Sequence, residues 1–351
     1  MHMSQQAATE MLAEVVSPEV RGDSVRIVFP SVLDQTAQAL AAALESVGVT
    51  VSRTLTPEAS FSSLPPEEAA EGWVPSPKEG LPPTLILFGA QPWEQSFSDD
   101  HLIELAAMTN REQLIAKGHY LVFVDWPRGA RLDAEVDLRA DDMARIFSSA
   151  MSGVYESIRH WNHRLIDEVN GSRDVRLECP AGSSLRLSVA GRKWISEDCQ
   201  LGSDEPAVYL PGGEIYVPAV ETSGEGRVVF YYCGELRIAE FEAGILVAVE
   251  HANGSADVDR GEEMGVGSEP LCEFGIGTNP WAPPWQIGTI YEKSAGTVHV
   301  AVGGNAHFGG LRDSPRHADL VIREPSVWID GRALELPPPL WMGFDTGKQR
   351  G

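Results

Sequence analysis

Six side chains that can bind a metal ion or carry a proton lie close together in the sequence, between residues 271 and 322. They are Glu273, Glu292, His299, His307, His317 and Asp319. Glycines and short β-branched runs surround them, which is typical of strands and turns rather than of helices. His317 and Asp319 are two residues apart, so a strand would place both side chains on one face. Imidazoles and carboxylates that converge near turns are what a hydrolytic metal site requires, and the segment therefore predicts one.

The residues that flank Glu214 and Glu273 support the same site. Glu214 follows two glycines and begins an apolar run, and a carboxylate at the mouth of a buried strand needs a counter-charge. Glu273 has a setting too apolar for a solvated acid, and His299 alternates with valines in a strand. Each of these residues, taken alone, is also compatible with a hydrogen-bonded core or surface position. Taken together, they predict five metal ligands: Glu214, Glu273, His299, His317 and Asp319.

Four further residues near these motifs have possible roles in catalysis or substrate binding. Glu292 fits three roles: a ligand, a general base that holds the attacking water, or the partner of Lys293 in a salt bridge. Trp281, Trp285 and Phe308 flank the motifs. They would either wall a pocket for an apolar or aromatic substrate or belong to the core.

The first half of the chain alternates strands and helices. Strands are predicted at 25–30, 49–55, 84–88 and 120–124, and helices at 5–15, 34–47, 99–117 and 141–169. This order predicts an α/β domain with a parallel sheet over residues 1–170. No G-x-G-x-x-G or G-x-x-x-x-G-K-[ST] follows its strands. A structural or dimerising role is therefore predicted for this domain, rather than nucleotide binding.

The second half, from about residue 171 to residue 351, has a different texture. Its segments are short, β-branched and punctuated by glycine, which predicts a mainly β (α+β) domain with tight turns. All the predicted ligands fall in this half. The predicted fold is thus an α/β domain followed by a β-rich metal-binding catalytic domain.

Composition limits the partners. The 351 residues carry a net charge of −24, and the pI is near 4.7. That charge argues against nucleic acid and anionic membranes as partners, because both would repel the protein. No apolar run approaches membrane-spanning length, and no signal peptide is evident. The four cysteines form no C-x-x-C pair and are predicted to be mostly buried free thiols of a cytoplasmic protein.

Four motifs in chain order carry a resemblance. G-G-E-I-Y-V-P, E-F-G-I-G-T-N-P, G-T-V-H-V-A-V-G and H-A-D-L look like those of the aminopeptidase T / aminopeptidase S family of metallopeptidases. The similarity covers roughly residues 209–331. It implies a homodimer and two divalent ions (zinc, cobalt or manganese) held by two glutamates, two histidines, an aspartate and a tyrosine. Matched motif by motif, all but the tyrosine fall on the five ligands predicted above.

The family's tyrosine does not carry over. Ala306 stands in its place, and His307 beside it is a possible substitute ligand. The number of ions, one or two, therefore stays open.

A second group, the 2,5-dihydroxypyridine dioxygenases, is also similar. These enzymes hold one ferrous ion with two histidines and an aspartate, and they share the pair formed here by His317 and Asp319. Their other histidine corresponds to Glu273, and they lack a histidine at position 299. Both differences favour the hydrolase, although His299, His317 and Asp319 would form a triad by themselves.

The resulting hypothesis is a metal-dependent hydrolase of the aminopeptidase T type. It would cleave an amide or peptide bond of a small substrate with metal-activated water, and Glu292 would shuttle the proton. One alternative is a mononuclear Fe(II) ring-cleaving dioxygenase. Another is a specialised or non-catalytic relative.

Overall fold

The computed structural model describes residues 15–16, 22–29, 34–55, 84–90, 115–116, 118–125, 140–202, 206–232, 234–285, 290–314 and 316–341. Its strands and α-helices in chain order are β1 (Ser24–Phe29), α1 (Asp34–Ser46), β2 (Thr50–Leu55), β3 (Thr84–Ala90), β4 (His119–Asp125), α2 (Ala140–Met151), α3 (Tyr155–Val169), β5 (Asp174–Glu178), β6 (Ser184–Ser188), β7 (Ile195–Glu197), β8 (Ala207–Leu210), β9 (Glu214–Pro218), β10 (Glu225–Tyr232), β11 (Glu235–Glu242), β12 (Ile245–His251), α4 (Val258–Met264), β13 (Leu271–Gly277), β14 (Val298–Gly303), β15 (His317–Ile322), β16 (Ser326–Ile329) and β17 (Arg332–Ala333). Within the described residues, 3-10 helices include Ile290–Lys293 and Ala306–Phe308.

The first unit is built on a parallel sheet with strand order β2-β1-β3-β4-β8. Strand β1 buries Ile27 and Val28, and α1 buries Leu40 and Leu44, which are one helical turn apart. Gly48, at a φ of +88°, follows the end of that helix. The predicted α/β domain with a parallel sheet is confirmed.

The second unit has two antiparallel sheets. One has seven strands in the order β12-β11-β10-β6-β5-β16-β17, and the other has five in the order β15-β14-β13-β9-β7. Apolar side chains of both sheets, such as Phe230, Phe241, Phe274 and Val300, belong to one buried core. The prediction of a mainly β second half is confirmed.

The chain divides into compact units at other points than residue 170. The first unit comprises residues 1–131, 139–155 and 199–212, and the second comprises 132–138, 156–198 and 213–351. Strand β8 belongs to the first unit because it pairs with β4. Helix α3 belongs to the second because its Leu165 and Val169 lie in the second core. The predicted structural or dimerising role of the first domain stays a prediction.

Three local expectations differ from the structure or fall outside it. The helix predicted over 141–169 is two helices, interrupted near Gly153, whose φ is +67°. The sequence before Glu292, at 287–291, is strand-like, but its described residues begin a 3-10 helix at Ile290–Lys293. The helices predicted at 5–15 and 99–117 lie mostly outside the described residues. Within the described residues, no helix has the length and apolarity that a membrane span requires.

Candidate metal centre

The candidate site lies on one face of the antiparallel sheet β15-β14-β13-β9-β7 in the second unit. The register pairs Gly277 with Glu214, Gly275 with His299, Ala301 with Asp319, and Gly303 with His317. Since side chains alternate along a strand, these residues share a face, and the alternate residues share the other. That other face is apolar and lies in the buried core, with Ile215, Phe274, Val300 and Leu320 among its residues. The five predicted ligands are therefore brought to one face, opposite the core.

Small residues leave room for the polar side chains on this face. A Cβ atom at Gly275 would lie 2.1 Å from Cε1 and 2.2 Å from Nε2 of His299. The imidazole thus lies directly over the backbone of β13, in a space that any other residue at position 275 would fill. Position 275 requires glycine because the imidazole approaches the backbone closely, and not because of an unusual backbone angle.

The carboxylate of Glu273 lies between two imidazoles. Its Oε1 is 3.2 Å from Nε2 of His299, and its Oε2 is 3.5 Å from Nε2 of His317. Nε2 of His317 is also 3.4 Å from Oδ1 of Asp319, and Nε2 of His299 is 3.6 Å from Oε2 of Glu214. One donor atom from each of Glu273, His299 and Asp319 lies within 4.8 Å of the others. The spacing of these atoms suits ligands that surround a cation.

A buried lysine completes the charge cluster. Nζ of Lys293 lies 2.5 Å from Oε1 of Glu214, 2.8 Å from Oε2 of Glu197 and 3.0 Å from Oε1 of Glu292. From the sequence, Lys293 is expected only as a partner of Glu292, and Glu197 is not predicted at all. Glu197 lies on β7 and has no motif around it, so only its pairing opposite Glu214 could reveal it.

With all five carboxylates ionised, this face would carry more negative than positive charge, so protons or a bound cation must balance it. Five carboxylates meet there, against one lysine and two histidines: Glu197, Glu214, Glu273, Glu292, Asp319, Lys293, His299 and His317. Oε2 of Glu214 is buried and has no hydrogen-bond partner. Burying unpaired carboxylates is costly. The donor set, rich in carboxylate with two imidazoles, fits a divalent metal ion.

Burial and neighbouring charges shift the proton affinities of these groups. Burial raises the pKa of Glu214 to about 7, although Lys293 and His299 act in the opposite direction. Burial and the charge of Asp319 raise the pKa of Glu292 well above its usual range. Burial alone would raise the pKa of Asp319, but His317 lowers it below the ordinary value. These shifts favour a protonated Glu292 carboxyl group next to an ionised Asp319.

The imidazoles and the lysine shift upward for a common reason. Burial would lower the pKa of His299, His317 and Lys293, but the carboxylates around them outweigh it and raise all three. In the metal-free protein these groups hold protons that a bound cation would displace from the two imidazoles.

Side chains behind the ligands fix their orientation. Nδ1 of His317 is 3.4 Å from the carbonyl oxygen of Gly304, which leaves Nε2 facing Glu273 and Asp319. The phenol of Tyr291 donates to the backbone carbonyl of Asp319 at 3.0 Å. Nδ2 of Asn162, on α3, donates to the backbone carbonyl of Glu214 at 2.8 Å.

The predicted pocket residues have different surroundings. The ring of Phe308 is 5.6 Å from Tyr216 and 6.4 Å from His317, so it lies beside the ligand group. Trp285 is buried with its ring 6.0 Å from Trp341, and the backbone of half-buried Trp281 donates to Asn279. Tyr216, which was not predicted from the sequence, lies on the same sheet face as Glu214, two residues further along β9.

His307, the possible substitute for the missing tyrosine, is exposed on the 3-10 helix at Ala306–Phe308. Its ring packs at 4.7 Å against that of Phe308. The group of mutually close donor atoms consists of Glu273, His299 and Asp319, without His307. A ligand role for His307 stays a prediction.

The fold is shared with two enzymes of known structure. 2,5-Dihydroxypyridine dioxygenase from Pseudomonas putida KT2440 matches with a TM-score of 0.63 and 16% identity, over 94% of each chain. Wild-type AmpT from Thermus thermophilus matches with a TM-score of 0.61 and 18% identity, over 94% of this chain and 96% of that one. No model of a known protein family matches the sequence, and no curated protein matches it either. At these identities the likeness concerns the fold, and both enzyme groups that the motifs resemble are structurally related to this chain.

Proposed function

We propose that the protein is a metal-dependent hydrolase of the aminopeptidase T type, acting on an amide or peptide bond of a small substrate. The observation that carries the proposal is the position of Glu273, with one carboxylate oxygen facing each imidazole. A carboxylate so placed can be shared between two ions or can bind a single one. The shared fold with AmpT and the four ordered motifs add support.

The candidate ligands form two sets that share Glu273. Glu214 and His299 would complete one set, and His317 and Asp319 would complete the other. A divalent ion held there would polarise the scissile carbonyl and acidify a water molecule. The 3-10 helix at Ala306–Phe308 provides no tyrosine as a sixth ligand. We therefore propose one or two ions of zinc, manganese or cobalt per chain.

Glu292 is proposed to handle the proton. Its burial and the nearby Asp319 keep its carboxyl group protonated in the metal-free protein. A cation bound beside Asp319 would favour the ionised form of Glu292. The Glu292 carboxylate would then take a proton from the attacking water and return it to the leaving amine. Phe308 and Tyr216, in ring contact with each other, would border the substrate.

The test combines metal analysis with turnover. We expect protein purified without chelator to contain one or two zinc, manganese or cobalt ions per chain and to hydrolyse members of an aminoacyl-amide and dipeptide panel. Glu273→Gln and His317→Ala should abolish metal-dependent turnover while the protein stays folded by circular dichroism. His163→Ala, on the exposed side of α3, is the matched control and should keep full activity. Full activity in either site variant would refute the assignment.

A second candidate is a mononuclear Fe(II) dioxygenase. The three mutually close donor atoms of Glu273, His299 and Asp319 suffice for one ion, and the fold is shared with a dioxygenase. One iron per chain and oxygen uptake with a hydroxylated pyridine would support it. Hydrolysis that proceeds without oxygen would exclude it. Failure of every substrate, with one weak metal or none, would instead indicate a specialised or non-catalytic relative.

A further inference from the structure

Lys293 is the one described lysine whose ammonium group is held by carboxylates of three separate elements. Glu197 comes from β7, Glu214 from β9 and Glu292 from the same 3-10 helix as the lysine. The side chain is 6% exposed, so its charge is shielded from water. The ammonium donates a hydrogen bond to Glu214 and forms ion pairs with Glu197 and Glu292 within 3.0 Å, so carboxylates from three elements confine its position.

The two oxygens of Glu214 differ because of this lysine. Oε1 is bonded to Nζ of Lys293, whereas Oε2 is buried without a hydrogen-bond partner and faces Nε2 of His299 at 3.6 Å. Without the ammonium, the Glu214 carboxylate could rotate and would lose its compensating charge. Lys293 therefore selects which oxygen of Glu214 is left to bind a cation.

The same ammonium also fixes Glu292. Oε1 of Glu292 lies 3.0 Å from Nζ, and its carboxyl group also interacts with Asp319. Thus one cation links a candidate ligand with the candidate proton carrier. Groups that orient metal ligands from behind are commonly needed for affinity.

We propose that Lys293 is a positioning residue of the metal centre, which orients Glu214 for metal binding and holds Glu292 beside Asp319. The proposal rests on the proposed function, because it assumes that the site binds a divalent ion. A rival explanation is that the ammonium occupies the place of an ion, in which case its removal would open an additional metal site.

The experiment compares cobalt binding by full-length protein and its variants. Lys293→Met keeps the length and apolar stem of the side chain but removes the charge. We expect it to weaken cobalt affinity by about 10–100-fold and to change the visible absorption of bound cobalt, with no gain of ions per chain. Lys193→Met, at an exposed lysine, is the matched control and should bind as the unmodified protein does.

The outcomes separate the inference from the function. Unchanged cobalt affinity and absorption in Lys293→Met would overturn the positioning role alone, and one additional ion per chain would favour the rival. A protein with native lysine that binds no cobalt would overturn the proposed function itself. If Lys293→Met does not fold, Glu197→Gln removes an anchor of the ammonium and leaves the five candidate ligands intact. We expect it to weaken cobalt binding in the same direction, and unchanged binding would overturn the positioning role.

Discussion

At the scale of single residues, the site depends on the absence of a side chain at position 275. A Cβ atom at residue 275 would lie only 2.1 Å from Cε1 of His299, so the imidazole occupies the space of that atom. We expect Gly275→Ala to displace the ring, to destabilise the fold by about 1–3 kcal/mol through overpacking and to weaken metal binding. Urea unfolding and cobalt titration would measure the two effects.

Gly261→Ala is the control for this change. A Cβ atom at Gly261, in α4, would meet Cγ2 of Val266 at 3.2 Å, a contact that a small side-chain shift relieves. Alanine also favours a helix by about 1 kcal/mol over glycine, so we expect no loss of stability or of metal binding. If Gly275→Ala behaves like this control, glycine at position 275 is not required for stability or for metal binding.

At the scale of elements, helix α3 supports the strand that carries Glu214. Asn162 is fully buried on that helix. Its Nδ2 donates to the carbonyl of Glu214 at 2.8 Å and to Oγ of Ser196 at 3.0 Å, and its Oδ1 accepts from Thr278 at 2.6 Å. One amide thus connects α3 with β9, with β7 and with the residue after β13.

We expect Asn162→Ala to lower the free energy of unfolding by about 1–3 kcal/mol, because it leaves buried polar groups without partners. It should also weaken metal binding through a less firmly held Glu214. Chemical denaturation and cobalt titration would measure both effects. Asn253→Ala, at an exposed turn where Oδ1 of Asn253 accepts hydrogen bonds from Ser255, should change stability little. Equal effects of the two substitutions would contradict a linking role for Asn162.

At the scale of the whole molecule, the site couples pH to stability. The pKa of Glu214 is raised from 4.5 to about 7 in the folded protein, so the native state binds this proton more tightly than the unfolded chain does. The associated stability is present below 4.5 and is lost as the pH rises through about 7. The upward shifts at His299 and His317 have the same sign.

We therefore expect the melting temperature of chelated protein to fall as the pH rises from 4.5 to about 7. A bound divalent ion replaces these protons, so added metal should raise the melting temperature most at the upper end of that range. Scanning calorimetry of metal-free and metal-loaded protein would measure this. Glu214→Gln cannot titrate and should show a shallower slope, and a slope equal to that of the unmodified protein would assign the effect to other groups.

Some global properties stay predictions. The homodimer, the cytoplasmic location and the dimerising role of the first domain follow from resemblance or composition. The net charge of −24 argues against anionic partners. The candidate site is also rich in carboxylates, and these groups would attract a cation.

Local patterns in the sequence are enough to predict the fold class of each half and the shared face of the ligands on β15. Alternation put His317 and Asp319 on one face, and the short β-branched runs with glycine turns predicted a mainly β domain, because both depend on local periods of the chain. The motif order also selected all five candidate ligands that the structure brings to one face. The continuous helix over 141–169 was wrong because the turn at Gly153 interrupts the helical pattern.

Which strands are neighbours becomes evident only in the folded protein. The order β15-β14-β13-β9-β7 places Glu197 next to Glu214, and the 3-10 helix brings Lys293 to both. An irregular register between Leu271 and Glu273 turns Leu271 to the core and Glu273 to the site, against strict alternation. Such pairings depend on contacts between residues far apart in the chain, which no local period of the sequence encodes.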